Sequence, residues 1–381
     1  MIDGLIDIVL LLAILVGLVV IHELGHFVAA RRAGVRVHEF GVGFPPRARI
    51  LHRGKETLWT VNWLPIGGFV RLEGEEGEST DKRAFVNQPL RTRLVILLAG
   101  VAMNFLLAWL IMSLIAGFID PASTVKVADV MPGTPAARIG LLGSQQVGTT
   151  SEGRAIYDDS GDVIVGVDGR TWMLFDDITQ SDALLGYLRS HAGQEVTLQV
   201  RRADGTSFDQ PVTLRPARTP VYVAGGAVVT MPTSALGIVI DPTGYESVSR
   251  GPIDAIVVGF QRTVDASTLI IRGLGDMIAN LGNPQVAGPI GMVSLVGGTR
   301  ELPPVFMLWL IALLSANLGV INILPFPPMD GGRMAMAIAQ KLSGGRISIA
   351  LERTIYFSGF VALMAPLVWI SYFDIRRLAG G

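Results

Sequence analysis

Four stretches of the sequence are apolar enough and long enough to cross the hydrocarbon core of a bilayer, which takes about 20 helical residues. They are residues 5–30, 94–119, 304–329 and 354–373. The second contains no charged residue between Arg93 and Asp120. Half of the chain (50%) is hydrophobic and only 17% is charged, which is typical of a protein that lies partly in lipid. We therefore expect an α-helical polytopic membrane protein with about four transmembrane helices.

Basic residues predict how these spans are oriented. Residues 31–93 contain twelve Lys and Arg, residues 1–30 contain none, and residues 333–353 contain four. Because cytoplasmic loops are enriched in Lys and Arg, both basic segments should be cytoplasmic, and the N-terminus and residues 120–303 should lie outside. Arg376 and Arg377, which follow the fourth span, count against this scheme.

Charge and cysteine content exclude several classes of function. The formal net charge is -1 and there is no long basic block, so nucleic acid is not an expected partner. The chain has 0 cysteines, so any metal site must use nitrogen or oxygen ligands.

Two histidines and a glutamate interrupt the first apolar stretch, in the segment VIHELGHFVA. Side chains four positions apart on a helix lie about 5–6 Å apart, so His22 and His26 can bind one ion. Glu23 projects beside the pair and can reach a water on that ion without being a ligand. Ionisable groups at membrane depth are costly and usually functional. A purely structural pairing and an ion relay in a transporter are the alternatives.

A zinc hydrolase uses three protein ligands and an open position for water, so a third ligand is required. The position ten residues after the first histidine is Arg32, not a third histidine. Glu39 and Glu56 are possible, but Asp330 in NLGVINILPFPPMDGGRM is the better candidate. Three prolines interrupt the helix there, and irregular backbone at membrane depth lines a cavity or lies within protein. The alternative for Asp330 is an N-cap of a helix beginning near Arg333.

The segments between the spans have the patterns of strands and of one long helix. The loop after the first span predicts two strands around a turn at Gly54 and a third short strand in PIGGFVRL, residues 65–72. GDVIVGVDGR and residues 195–216 each contain a strand that enters an Asp-Gly turn, and a short helix is expected between them, so an α+β domain follows. Residues 253–281 have helical periodicity with charges on one face. This predicts a helix in the membrane interface or packed on the protein, with a solvated surface helix as the alternative.

Together these motifs carry a resemblance to a known family. HELGH, NILPFPPMDGG, PIGGFVRL and the outer domain between spans two and three resemble the site-2 proteases, which are intramembrane zinc metalloproteases, and most closely the bacterial members that regulate the sigma-E response. LLAGVAMNFLLA and AGPIGM are also similar to family segments. The resemblance covers most of the chain.

The resemblance implies a role for each of these residues. His22, His26 and Asp330 would hold Zn²⁺. Glu23 would be the general base and acid, and Asn322 would help to position the substrate or the developing oxyanion. The family's loop after the first span forms a membrane-associated β element that aligns the substrate as an added strand. The residues expected to position the substrate are Gly67, Gly68, Phe69, Val70 and Asn104.

The outer domain resembles a PDZ domain in VMPGTPAARIGL, residues 130–141, and in GDVIVGVDGR. Only one such domain fits, and residues 142–160 separate segments that normally lie close together. We therefore expect one extracytoplasmic PDZ-like α+β domain. A size filter that excludes bulky outer domains and a binder of peptide termini are the two alternatives for its role, and the size filter is the milder hypothesis.

The resemblance also predicts partners and location. The expected substrates are single-span transmembrane proteins shortened by an earlier cut, such as anti-sigma factors, in the lipid bilayer of a bacterial cytoplasmic (inner) membrane. Clearance of remnant signal peptides by the same chemistry and a non-catalytic scaffold with a peptide-binding domain are the alternatives.

The predicted organisation has seven parts. They are the first transmembrane helix (1–34), a cytoplasmic-side loop with the β element (35–93), the second helix (94–120), the PDZ-like domain (121–220), a connector with the amphipathic helix (221–302), the third transmembrane segment (303–333), and a cytoplasmic connection with the fourth helix (334–381).

Overall fold

A computed structural model describes residues 2–75, 79–149, 155–173, 175, 183–215, 221–222, 228–229, 236–241, 245–279 and 287–378. The helices are α1 (Ile2–Arg32), α2 (Leu90–Phe118), α3 (Pro135–Arg138), α4 (Ala183–Ser190), α5 (Pro252–Ala279), α6 (Pro289–Arg300), α7 (Pro304–Ile323), α8 (Asp330–Leu342) and α9 (Ile349–Leu378). The strands are β1 (Val37–Arg53), β2 (Leu58–Leu72), β3 (Asp120–Ser123), β4 (Val125–Val130), β5 (Gln146–Thr149), β6 (Ala155–Tyr157), β7 (Val163–Val167), β8 (Trp172–Met173), β9 (Glu195–Arg201), β10 (Ser207–Thr213), β11 (Val221–Tyr222), β12 (Val228–Val229), β13 (Ile238–Asp241) and β14 (Tyr245–Val248).

The chain divides into two compact units. Unit 1 comprises Met1–Ile115 and Ile253–Gly381, and unit 2 comprises Ala116–Pro252. Unit 1 contains the helices that are long and apolar enough to cross a membrane, and unit 2 is mainly β structure.

Among the residues that the structure describes, four helices have the length and composition of membrane spans: Asp3–Arg32, Leu90–Phe118, Pro304–Ile323 and Ile349–Arg377. They lie where the hydropathy of the sequence predicts them, so the chain is an integral membrane protein. The third span ends at Ile323, six residues before the predicted end. Prolines at 325, 327 and 328 lack the N–H group that a continuing helix needs, and the chain turns before α8 begins.

Close packing of α1 against α2 depends on a glycine. A Cβ atom at Gly25 would lie 2.3 Å from the carbonyl oxygen of Ala99. Glycine at this position lets the two backbones approach, as small residues do between membrane helices. Nearer the N-terminus of α1, Leu11 packs with Val296 of α6 and Leu310 of α7.

Helix α5 packs through its small and polar residues and exposes its apolar ones. A Cβ atom at Gly259 would lie 2.2 Å from Ser113 Oγ of α2, and Trp109 Nε1 donates a hydrogen bond to Ile256 O at 3.0 Å. The exposed apolar side chains are Ile253, Ile256, Val257, Phe260, Val264, Leu269 and Ile271. Small residues inside and apolar residues outside are typical of a helix in lipid. This favours a membrane-associated helix over a solvated one; residues 280–281 of the predicted helix lie outside the described part.

The loop after α1 forms two long bent strands rather than the three short strands predicted. Phe40 of β1 lies opposite both Val70 and Trp59 of β2, because the two ends of β2 flank the first half of β1. The second half of β1 pairs with the start of β2, as in Arg53 opposite Leu58. The third predicted strand is therefore the end of β2, and it forms an edge of this sheet.

Helix α6, which the sequence reasoning did not predict, is capped by a residue of α9. Asp374 is 2% exposed, and its carboxylate accepts hydrogen bonds from the backbone N–H groups of Gly291 at 2.8 Å and Gly288 at 3.3 Å. A carboxylate at a helix N-terminus satisfies N–H groups that have no partner within the helix. The AGPIGM segment thus docks α6 onto the end of α9.

Unit 2 is built around a five-stranded antiparallel sheet in the order β10-β9-β7-β4-β13. Its core combines Ile164, Leu198 and Val200 with Leu184 of α4. Both predicted strands that enter Asp-Gly turns are present, and the turn after β7 has positive φ at Asp168 (51°) and Gly169 (72°), which suits a tight hairpin. The strands β5 and β6 pair within the long segment that separates the two PDZ-like sequence pieces. The unit is α+β, as expected.

The two ends of unit 2, residues 116–123 and 245–250, lie side by side, and we call this region the neck. Strand β3 pairs with β14, with Asp120 opposite Val248. The backbone N–H of Arg250 donates to Ala116 O at 3.1 Å, and its Nε lies 3.0 Å from Asp120 Oδ2. Asp120 is fully buried, and a buried carboxylate is stable only when it is paired in this way.

Candidate metal centre

Two imidazoles of α1 and the first carboxylate of α8 meet in a closed triangle. His22 Nε2 lies 2.9 Å from Asp330 Oδ2, His26 Nε2 lies 3.1 Å from the same oxygen, and the two nitrogens are 3.0 Å apart. All three residues are less than a tenth exposed. The spacing of four along α1 places the rings edge to face, with centroids 4.7 Å apart. The residues predicted as ligands therefore converge although 308 positions separate them.

Helix α8 begins at Asp330 itself, not near Arg333. Its N-cap residue is Met329, and no side chain caps that end. The carboxylate of Asp330 is directed to the imidazoles instead, so the N-cap alternative for this residue is wrong. Close packing of Gly331 fixes the start of the helix, since a Cβ atom there would lie 2.2 Å from the carbonyl oxygen of Ile323.

The other two candidate ligands are committed to arginines. Glu39 is buried and bound by Arg47 at 2.7 Å and Arg71 at 2.9 Å. Glu56 is paired with Arg83 at 2.6 Å, and the hydrogen bond from that guanidinium lowers the pKa of Glu56 to about 2. Neither carboxylate takes part in the triangle.

The donor set fits zinc. Imidazole nitrogens and carboxylate oxygens hold Zn²⁺ at about 2.0–2.2 Å in a tetrahedron, which separates the ligand atoms by about 3.3 Å. The three atoms of the triangle are 2.9–3.1 Å apart. Space above them is kept by Gly100 of α2, where a Cβ atom would lie only 2.4 Å from His26 Nε2 and 2.9 Å from His22 Cε1. A nitrogen and oxygen site with room beside it suits an ion that also needs an open position.

Each imidazole has a partner on its second nitrogen. His26 Nδ1 donates to the backbone oxygen of Ile96 at 2.8 Å, and the side-chain amide of Asn104 lies 3.0 Å from His22 Nδ1. Such contacts orient the rings of metal ligands. The structure thus places Asn104, predicted to position substrate, against the ring of His22.

Glu23 stands between the triangle and the edge of the β1–β2 sheet. Its carboxylate, His22 and His26 each offer an atom within 4.8 Å of the others. On its other side is Gly68, where a Cβ atom would lie 3.8 Å from Glu23 Cγ. A peptide at this edge would therefore pass close to both the carboxylate and the ligand atoms.

Apart from Asn104, the residues predicted to position the substrate form the edge segment of β2. Gly68 and Val70 are buried, and Phe69 packs over Gly41. Gly67 has φ +72°, a conformation that favours glycine, and it packs against the ring of Phe44. Within the described ranges, no further strand pairs with the outer side of this segment.

The remaining predicted catalytic residue, Asn322, lies in the last turn of α7 and is half-buried. Among the contacts described for the triangle, none involves its side chain. Sequence reasoning missed Gly100 and the carbonyl of Ile96. The only signal for either was the glycine in LLAGVAMNFLLA, and it did not distinguish a metal-site role from helix packing.

Comparisons with known proteins agree with this geometry. The model of a family described as "Peptidase family M50" matches residues 10–366. "Putative zinc metalloprotease CPE1693" of Clostridium perfringens is 30% identical over 94% of this chain and 95% of its own length. "Putative zinc metalloprotease all3971" of a Nostoc species is 28% identical over 96% and 95%. "Zinc metalloprotease RasP" of Oceanobacillus iheyensis is 24% identical over 95% and 96%.

Proposed function

The chain belongs to peptidase family M50, the site-2 proteases, and is a zinc metalloprotease of the membrane; from that premise we propose that it hydrolyses peptide bonds within transmembrane segments of single-span proteins. The observation that carries the proposal is the buried triangle of His22, His26 and Asp330 with Glu23 beside it. His22, Glu23 and His26 lie in α1, which has the length of a membrane span, and Asp330 begins the short helix α8 after the third such helix ends. We therefore propose that the reaction takes place among segments suited to lipid.

The residues divide the chemistry between them. The imidazoles of His22 and His26 and the carboxylate of Asp330 would hold zinc, which would supply Lewis-acid chemistry at this site. Glu23 accepts a proton from the attacking water and returns it to the leaving amine nitrogen as the C–N bond breaks. Asn322 is proposed to stabilise the developing oxyanion from α7.

Presentation of the substrate requires it to leave its helical conformation. A helix hides its peptide groups in its own hydrogen bonds, and a sheet edge offers replacement partners. Gly68–Val70 is such an edge, and it lies beside Glu23. We propose that an unwound substrate segment adds to it as a strand, with Gly67 and Phe69 shaping the approach.

The apolar tip of the same sheet supports its association with the membrane. Phe44, Trp63, Leu64 and Ile66 are all exposed, between 45% and 71%. Large exposed apolar side chains in one cluster mark a surface that is covered by lipid or by a partner. We propose that this tip enters the bilayer and carries the edge to the depth of the catalytic residues.

The proposed substrates are single-span proteins shortened by an earlier cut, such as anti-sigma factors, in regulated intramembrane proteolysis. Remnant signal peptides are the second candidate class. The proposed location is a bacterial inner membrane with the N-terminus and unit 2 outside, as the basic loops indicate. Unit 2, which we propose to be PDZ-like, would exclude substrates with bulky outer domains.

Purified protein in detergent tests the proposal. Elemental analysis should give about one zinc per chain, and a peptide with a single transmembrane segment should be cut within that segment. Glu23→Gln is the matched control, because it keeps the size of the side chain and should keep zinc while lowering turnover by about 10²-fold or more. Full zinc content with no cleavage of any single-span peptide by the wild-type protein would support a scaffold instead. Cleavage by Glu23→Gln at the wild-type rate would remove Glu23 from the mechanism.

A further inference from the structure

A buried amide behind the metal centre has a role that its contacts define. Asn104 is 0% exposed, and its side-chain Nδ2 lies 3.0 Å from His22 Nδ1. Its Oδ1 is buried with no hydrogen-bond partner in the described chain. Ser315 of α7 donates to the backbone oxygen of Asn104 at 2.8 Å, so this part of α2 is held in place. We infer that Asn104 is a positioning residue that selects the tautomer of His22 needed to bind zinc.

The tautomer of His22 is set by which nitrogen has a donor opposite it. A neutral imidazole carries one N–H group and one lone pair. With Asn104 Nδ2 donating to Nδ1, the ring must carry its proton on Nε2, where Asp330 Oδ2 accepts it at 2.9 Å. That arrangement suits the site without a metal, because a protonated Nε2 cannot be a ligand.

Zinc binding requires the opposite arrangement. Nε2 must offer its lone pair, so the ring exchanges its Nε2 proton for one on Nδ1 without changing its charge. The partner of Nδ1 must then accept a hydrogen bond. A half-turn of the Asn104 amide brings Oδ1 to Nδ1, which also gives the buried oxygen a partner.

His26 differs from His22 in this respect. Its Nδ1 faces the backbone oxygen of Ile96, which can only accept. His26 therefore keeps its Nδ1 proton with and without the metal, whereas the proton of His22 moves from Nε2 to Nδ1 when the metal enters. An amide suits this second position because it can donate in one state and accept in the other.

Zinc affinity of the full chain in detergent, measured by competition with a chelator, tests the inference. Asn104→Ala removes the acceptor and should weaken zinc binding by about 10- to 100-fold, as is typical for partners of metal-binding histidines. Asn104→Asp has nearly the same shape and can only accept, so it should bind zinc at least as tightly as the wild type. Ser315→Ala, which removes the contact with the backbone of Asn104 only, should leave the affinity close to the wild-type value.

Two outcomes would overturn the inference. One is an Asn104→Asp protein that is folded but loses as much zinc affinity as Asn104→Ala, since an acceptor would then be insufficient. The other is an Asn104→Ala protein with wild-type zinc affinity and a raised KM, which would assign Asn104 to substrate positioning. The inference rests on zinc as the metal of the proposed enzyme, and failure of that premise is seen separately, as absence of zinc from the wild type.

Discussion

Replacement of Gly100 by alanine should damage the metal centre without touching any ligand. The added Cβ atom would lie 2.4 Å from His26 Nε2 and 2.5 Å from His26 Cε1, where ordinary contacts begin near 3.4 Å. Relief needs a displacement of about 1 Å, and errors of that size in a catalytic geometry cost about 10²-fold in rate. The ring of His26 cannot simply rotate away, because Nδ1 is bound to the backbone oxygen of Ile96. We expect zinc affinity to fall by at least about 10-fold and cleavage by about 10²-fold.

The assay compares zinc content, chelator competition and cleavage of a single-span peptide in detergent. Gly17→Ala is the matched control, because this glycine lies in α1 and a Cβ atom there would meet nothing within 4 Å. It should behave as the wild type, with a helix stabilised by up to about 1 kcal/mol. If Gly100→Ala binds zinc and cuts the peptide as well as Gly17→Ala does, the space above the imidazoles is not limiting and the reasoning fails.

Four further substitutions test other contacts. Asp330→Asn should lower zinc content well below one per chain, because an amide is a poor replacement for an anionic ligand; full occupancy by elemental analysis would contradict the assigned triangle. Glu39→Gln should lower the free energy of unfolding by about 1–2 kcal/mol, since it weakens the hydrogen-bonded pairs with Arg47 and Arg71. Glu56→Gln, at the more exposed pair with Arg83, should change the free energy of unfolding by less than about 1 kcal/mol. Equal effects of the two substitutions in denaturant titrations would show that burial of Glu39 is unimportant. Asp374→Ala should cost about 0.5–2 kcal/mol by uncapping α6, and an unchanged thermal midpoint would mean that the cap contributes nothing.

Features that depend on local periodicity could be predicted from the sequence. The hydropathy of the four spans and the spacing of His22 and His26 follow from one helix at a time, so they were found correctly. Asp330 is 304 residues from His26, and its selection depended on an unusual set of prolines and on a family resemblance rather than on spacing. Its competing interpretation as an N-cap could be rejected only once the start of α8 was known.

Features that depend on contacts between distant elements could not be predicted. Gly100 and Ile96 lie in an apolar run whose composition is the same whether it packs against lipid or against a metal ligand. The sequence of α5 shows an apolar face and a charged face, but the side that packs on α2 holds Gly259. The sequence pattern does not indicate whether the apolar face contacts lipid or the rest of the protein. In the sequence, Asp374 marks only the end of the fourth span, and its hydrogen bonds to the N-terminus of α6 follow from the structure alone.

The neck between Asp120 and Arg250 has a consequence for how such a protein can change over time. Because unit 2 enters and leaves at adjacent points, its ends are already joined by a strand pair and a buried ion pair. A domain whose two ends lie close together can be exchanged, duplicated or shortened without disturbing the helices that hold the metal centre. Changes in length and sequence can therefore accumulate in unit 2 while the residues of the metal centre stay the same, and such changes would alter target selection under the size filter proposed above.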